Sequence, residues 1–278
     1  MRFKSVLSVV GVHHSRNDVE VAKRLCQEVD AHLSVLVVSV ASPPPIGEYA
    51  AIISEDWLYD RRSEMTTLRE RVAEIRETLS DGSVSFDVDG IYPEAVSTSH
   101  SVAQRARFAD LVILGPAFAT DDALRTNVLD GALFEATRPV LIVPENGRAT
   151  LKPKSIMVAW APGLEAARAI RESIELLYDA NEVHITMVDP DASSREVGGE
   201  PGTDVATYLA RHGVKVELDR LPNAGRSVSD ILNQHATDVA ADLVVMGAYG
   251  HSRLRERLFG GVTRSMIEEP QTPIMLAR

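Results

Sequence analysis

The chain is short of cysteine, of positive charge, of long apolar runs and of catalytic signatures, and each shortage narrows what it can be. A single cysteine, Cys26, excludes an intrachain disulfide and suits a reducing compartment. Its helical position faces inward, so it reads as core. No stretch reaches the roughly eighteen continuous apolar residues that a membrane-spanning helix needs. The opening run Ser5-Val-Leu-Ser-Val-Val10 is too short for the body of a secretory signal, and no convincing cleavage site follows it. The expectation is a cytoplasmic protein with no membrane partner. Lysine and arginine number 29 against 40 aspartates and glutamates, and the net charge of -11 argues against nucleic acid as a partner. No Gly-x-Ser-x-Gly elbow and no pair of catalytic carboxylates stand out. His13-His14 lack further ligands nearby and read as loop residues, so no metal site of the chain's own is expected.

What remains is an ordinary globular composition, 45% hydrophobic and 25% charged, over 278 residues. That length suits two domains of about 140 residues each. The sequence repeats itself at this scale. Ser5 to Val10 matches Ser155-Ile-Met-Val-Ala-Trp160. Amphipathic helices follow, Asp18 to Asp30 and Glu165 to Ala180, and then strands His32 to Val40 and Glu182 to Val188. Ala109-Asp-Leu-Val-Ile-Leu-Gly115 mirrors Ala241-Asp-Leu-Val-Val-Met-Gly247. Proline-led strands close the halves at Pro139 and Pro273. A linker rich in Asn, Gly, Lys and Pro separates domains at 1–147 and 153–278. Strand and helix alternate in each half, which predicts an α/β fold: two tandem doubly wound domains, each a parallel sheet with helices on both faces. Ligands of such sheets lie beyond the carboxyl ends of the strands.

Glycines mark one such end. Leu243 to Met246 read as a buried strand, and Gly247 and Gly250 follow at once. Gly260 and Gly261 then lead into a helix from Val262 to Glu269, stopped by Pro270. Free amides at a helix N-terminus favour phosphate, through unpaired donors and a favourable dipole. The spacing is neither a P-loop nor a dinucleotide fingerprint. Strand, glycine turn and helix also occur simply because a turn is tight. Between the glycine clusters His251, Arg253, Arg255 and Arg257 read either as phosphate-neutralising or as a solvated face.

The motif Gly247-x2-Gly250-x9-Gly260, set between Ala-Asp-Leu-Val-Val-Met and Thr-Pro-Ile-Met-Leu-Ala, resembles the universal stress protein family, and the duplication resembles its tandem form. The resemblance implies five-stranded parallel sheets of order 3-2-1-4-5. It implies a stress-response module that binds an adenine nucleotide, ATP or AMP, with Mg2+ as its accompanying ion, and that is not a dedicated enzyme, slow ATP hydrolysis aside. It implies domains paired through their last strands, so that a tandem chain is such a pair made covalent; a further homodimer is left open. Carried over, the site comprises Gly247, Gly250, Gly260, Gly261, Val262 and Thr263 at the phosphates, with Met246, Trp160, Ala161 and Val188 toward the nucleoside. Two departures stand out. Gly261 replaces the usual Ser or Thr, at a cost of about 0.5–1.5 kcal/mol for one neutral hydrogen bond. Ala161 replaces the nucleoside-reading Asp, which weakens selectivity. Trp160 reads either as a stacking platform, worth about 1–3 kcal/mol per base, or as core.

The first half departs further. Pro116-Ala117-Phe118 replaces the second glycine. Gly131-Ala132 lies too far from Gly115, and the turn Gly11-Val-His-His-Ser also lacks the Asp. Asp121, Asp122 and Asp130 place negative charge where phosphate would sit, so this half is expected to be a structural partner. It also carries an insert, Ala41 to Asp81, with a helix from about Arg61 to Leu79 that packs on its own domain or serves a partner. The alternative function is therefore a nucleotide-free interaction and dimerisation protein.

Overall fold

The computed structural model describes residues 3–43, 55–145, 148–190, 200–248 and 261–278. The chain divides into two compact units, Phe3–Arg138 and Pro139–Arg278.

In the first unit the strands are β1 (Ser5–Gly11), β2 (His32–Val38), β3 (Phe86–Ile91) and β4 (Leu111–Leu114), and all pair in parallel in the order β3-β2-β1-β4. Their side chains are almost wholly aliphatic and buried at β1, β2 and β4, as a sheet covered on both faces requires. Helix α1 (Arg16–Val29) buries Val19, Ala22, Leu25 and Cys26, a stripe at helical spacing. It stops at Asp30, which takes a left-handed conformation (φ 54°). Burial also pushes the Cys26 thiol up to about 12, which keeps it an inert core group. Helix α2 (Glu55–Leu79) begins earlier than its sequence suggests and buries Leu68, Ile75 and Leu79. Its aromatic residue Trp57 is held within the unit: the indole N–H donates to the Pro43 carbonyl at 3.1 Å, and the Arg61 guanidinium lies 4.9 Å from the ring centroid. Helix α3 (Thr98–Ala106), helix α4 (Asp122–Leu129) and a π-helical segment (Asp130–Glu135) complete the unit. At Gly131 a Cβ would stand 2.3 Å from the Ser99 carbonyl oxygen, so this glycine serves the packing of α3.

The second unit holds β5 (Val140–Ile142), β6 (Ser155–Ala159), β7 (Glu182–Val188), β8 (Val216–Leu221), β9 (Leu243–Gly247) and β10 (Ile274–Ala277). Five of these pair in parallel as β8-β7-β6-β9-β10, which is the order 3-2-1-4-5 within the repeat. Strand β5 pairs antiparallel with β10, with Leu141 opposite Met275. The helices are α5 (Leu164–Asp179), α6 (Thr203–Arg211), α7 (Val228–Asp238) and α8 (Gly261–Glu268). Helix α5 buries Ala166, Ala169, Ile170, Ser173 and Leu177, again one stripe.

The repeat extends to single hydrogen bonds. Asp110 Oδ2 accepts from the amides of Lys4 and Ser5 at 2.8 and 3.0 Å. Asp242 Oδ2 accepts from Lys154 and Ser155 at 2.7 and 3.1 Å. Each carboxylate ties the entry of its fourth strand to the entry of its first.

Candidate functional site

In the second unit β6 pairs with β7 on one side and β9 on the other, so strand order reverses there. Beyond the carboxyl ends of these strands lies a cavity of about 330 Å3. Its floor is Trp160 and Ala161 after β6, Thr186 and Val188 of β7, and Met246 and Gly247 of β9. Its walls are Glu165 and Ala166 in the first turn of α5, Val228 and Leu232 of α7, and Gly261, Val262 and Thr263 at the start of α8. The volume lies at the lower end of the range for small-molecule pockets. Most of the lining is apolar, with few polar groups among it.

Two of those polar groups lack partners. The Trp160 indole nitrogen and the Thr186 hydroxyl are both sealed from solvent, and neither makes a hydrogen bond among the described residues. Each such unmet group costs about 1–3 kcal/mol. The Trp160 backbone is fixed independently, its amide donating to the Thr186 carbonyl at 2.9 Å.

The glycines at the site do different work. A Cβ on Gly247 would stand 2.6 to 2.9 Å from the backbone of Glu165 and Ala166, so glycine is required for α5 to approach the sheet. A Cβ on Gly261 would meet nothing within 4 Å, so packing makes no demand there. Gly261 is the first described residue of α8.

Of the residues the sequence selects, Met246, Gly247, Trp160, Ala161, Val188, Gly261, Val262 and Thr263 are all brought to this one cavity. Gly250, Gly260 and the basic stretch from His251 to Arg257 lie outside the described residues. Sequence reasoning missed Thr186, Glu165, Val228 and Leu232. Thr186 was within reach, because strand alternation places it on the same face as Val188. Glu165 returns a carboxylate to a site whose usual Asp position holds Ala161.

The corresponding place in the first unit is filled by the protein's own side chains. Asp18, fully buried in the first turn of α1, accepts from the Ala117 amide at 3.1 Å through Oδ1. Its Oδ2 lies 3.4 Å from His14 Nδ1, and His14 Nε2 lies 3.2 Å from Asp121 Oδ2. Phe118 is buried edge-on against the His14 ring, with centroids 4.7 Å apart. Burial of His14 opposes its charged form, but contacts with Asp18 and Asp121 outweigh it and raise its pKa above the ordinary histidine value. His14 is a loop residue, as its sequence suggests, and its side chain turns inward to join this cluster. The neighbouring acids also act otherwise than as bare charges. Asp121 caps α4 by accepting from the Leu124 amide, and Asp122 pairs with Arg125 at 2.5 Å. The Asp130 carboxyl is raised by burial first and by Glu135 second. Steric filling, more than repulsion, closes this place.

Among the described residues no helix is long and apolar enough to cross a membrane. The sequence pattern of the universal stress protein family matches residues 153–278. The protein is 24% identical over 174 residues to Universal stress protein Slr1230 of Synechocystis, a match spanning 61% of this chain and 58% of that protein. In fold it is similar to a universal stress protein from Archaeoglobus fulgidus (TM-score 0.67, 16% identity, 98% of this chain and 96% of that one). A putative universal stress protein from Pseudomonas aeruginosa gives a TM-score of 0.59 at 15% identity, over 99% and 93% of the two chains. Residues 153–278 belong to the universal stress protein family, in a chain whose first unit repeats the same α/β pattern.

Proposed function

We propose that the second unit binds an adenine nucleotide, ATP or AMP, in the cavity between β6, β7 and β9, and that the tandem chain serves as a ligand-responsive module of the stress response. The observation that carries this reading is one cavity, at the place where strand order reverses, that brings the start of α8 and Gly247 together with an apolar floor of Trp160, Val188 and Met246. The phosphates would lie against the amides of Gly261 to Thr263, with Mg2+ accompanying ATP. The adenosine would lie between Trp160 and Val188. Glu165 would accept from ribose hydroxyls in place of the missing Asp at Ala161.

The reading is one of binding, not catalysis. Among the described residues that line the cavity, Glu165 is the only ionisable side chain. Neither a histidine nor a lysine is among those described lining residues.

The test is whether the purified protein carries nucleotide. Mass spectrometry of the denatured supernatant should find ATP, ADP or AMP, and calorimetry should give a saturable isotherm with ATP and AMP. No heat and no thermal shift at millimolar nucleotide would refute the proposal.

A further inference from the structure

A second cluster in the same unit stands apart from the cavity. His184 of β7, Asp219 of β8 and His235 of α7 each offer one ligand atom, and these atoms all lie within 4.8 Å of one another. His184 is buried; Asp219 and His235 are half-buried. Asp219 Oδ2 lies 3.0 Å from His184 Nδ1 and 2.8 Å from His235 Nε2, so one oxygen serves both imidazoles. Glu217, the cross-strand partner of His184, places Oε2 3.8 Å from the same Nδ1.

We propose that His184, Asp219 and His235 form a site for a divalent transition metal, with Zn2+ the best fit and Glu217 or water as the fourth ligand. The donor set is two imidazole nitrogens and one or two carboxylate oxygens, which suits a borderline metal and not Mg2+ or Ca2+. Tetrahedral Zn2+ with bonds of about 2.0–2.1 Å sets its donors about 3.3 Å apart, so the two nitrogen–oxygen contacts open by a few tenths of an ångström while the two nitrogens, within 4.8 Å of each other, close toward the same spacing by side-chain rotation.

The first unit supplies an internal control. Strand register and the matched Asp110 and Asp242 bonds align His184, Asp219 and His235 with Ser34, Asp89 and Ala103. There the aspartate survives, but it pairs with Arg105 at 2.7 Å. The fold therefore does not need histidines at these two positions, and only the second unit has them. Their effect would be local: a metal would join β7, β8 and α7, and α7 carries Val228 and Leu232 of the cavity wall.

This proposal is independent of nucleotide binding and is tested without it. Full-length protein stripped with chelator should take up one equivalent of Zn2+ by calorimetry. Co2+ should give visible absorption bands of tetrahedral strength, and Zn2+ should raise the thermal midpoint. Asp219→Asn and His235→Gln, made separately and checked by circular dichroism, should each weaken Zn2+ by at least about tenfold. No saturable uptake, or uptake unchanged in both variants, would overturn the assignment. Should the variants fail to fold, X-ray absorption of the Zn2+-loaded natural protein decides. Two imidazoles with oxygen ligands support the site, and a sulfur ligand or a single imidazole sinks it.

Discussion

Two units built on one plan have ended with opposite interiors at the same place. In the first, the third residue after the cap of α1 is Asp18; in the second, the third residue after Gly163 is Ala166. The carboxylate of Asp18 lies against Gly115, whereas Gly247 meets only the backbone of Glu165 and Ala166. Phe118 stands three residues after Gly115, where the second unit has Gly250 three residues after Gly247. A small set of side chains, exchanged on a common backbone plan, separates a filled place from a cavity. The lesson is that glycine at a strand end does not announce a ligand. Gly115 and Gly247 both sit there, and what lies opposite decides the outcome.

The sharpest way to break this contrast is to move the plug. Ala166→Asp should put an unpaired carboxylate in the second cavity and lower nucleotide affinity by at least about a hundredfold, since like charges brought together cost several kcal/mol. Calorimetry with ATP reads the loss, and an unchanged isotherm would mean the ligand lies elsewhere. Gly247→Ala comes next. The backbone of α5 cannot yield easily, so unfolding in urea should lose about 1–3 kcal/mol. In a Trp57→Phe background the fluorescence of Trp160 follows the second unit alone, because the chain has only two tryptophans.

The first unit can be probed through pH. The raised pKa of His14 means that the folded state holds a proton which the unfolded chain releases nearer pH 6.5. That contribution is fully present below the unfolded value and is lost as pH rises through the folded one. The thermal midpoint of the natural protein should therefore fall across this window relative to His14→Gln. Parallel pH profiles would show that the cluster does not bind a proton on folding. The smallest effect is expected at Gly261→Ala. Stability should stay within about 0.5 kcal/mol, because open space surrounds the new methyl. Affinity for ATP should fall several-fold if phosphates approach that backbone, and a tighter complex would displace them from α8.

Much of this was legible in the sequence because it is periodic or local. The matched strands Ser5 to Val10 and Ser155 to Trp160 declare the duplication. Gly247 and Gly261 locate the strand end and the helix start that face the cavity. What the sequence hid was relational. Nothing in the run Ser15-Arg-Asn-Asp18 says that its acid turns inward to meet Ala117 nearly a hundred residues on. His184, Asp219 and His235 are separated by two turns of chain and meet only because β7, β8 and α7 are neighbours. Thr186 reads as one more β-branched strand residue, and only the fold shows its hydroxyl buried without a partner among the described residues.

The antiparallel seat of β5 on β10 has a practical corollary. Severing the chain at its apparent repeat boundary, to express 153–278 alone, would strip a rim from the sheet and leave the amides and carbonyls of Ile274 to Leu276 unmet. Bare rims recruit whatever strand is at hand. A fragment begun ahead of Pro139 keeps β5 on β10 and should self-associate less than the shorter one.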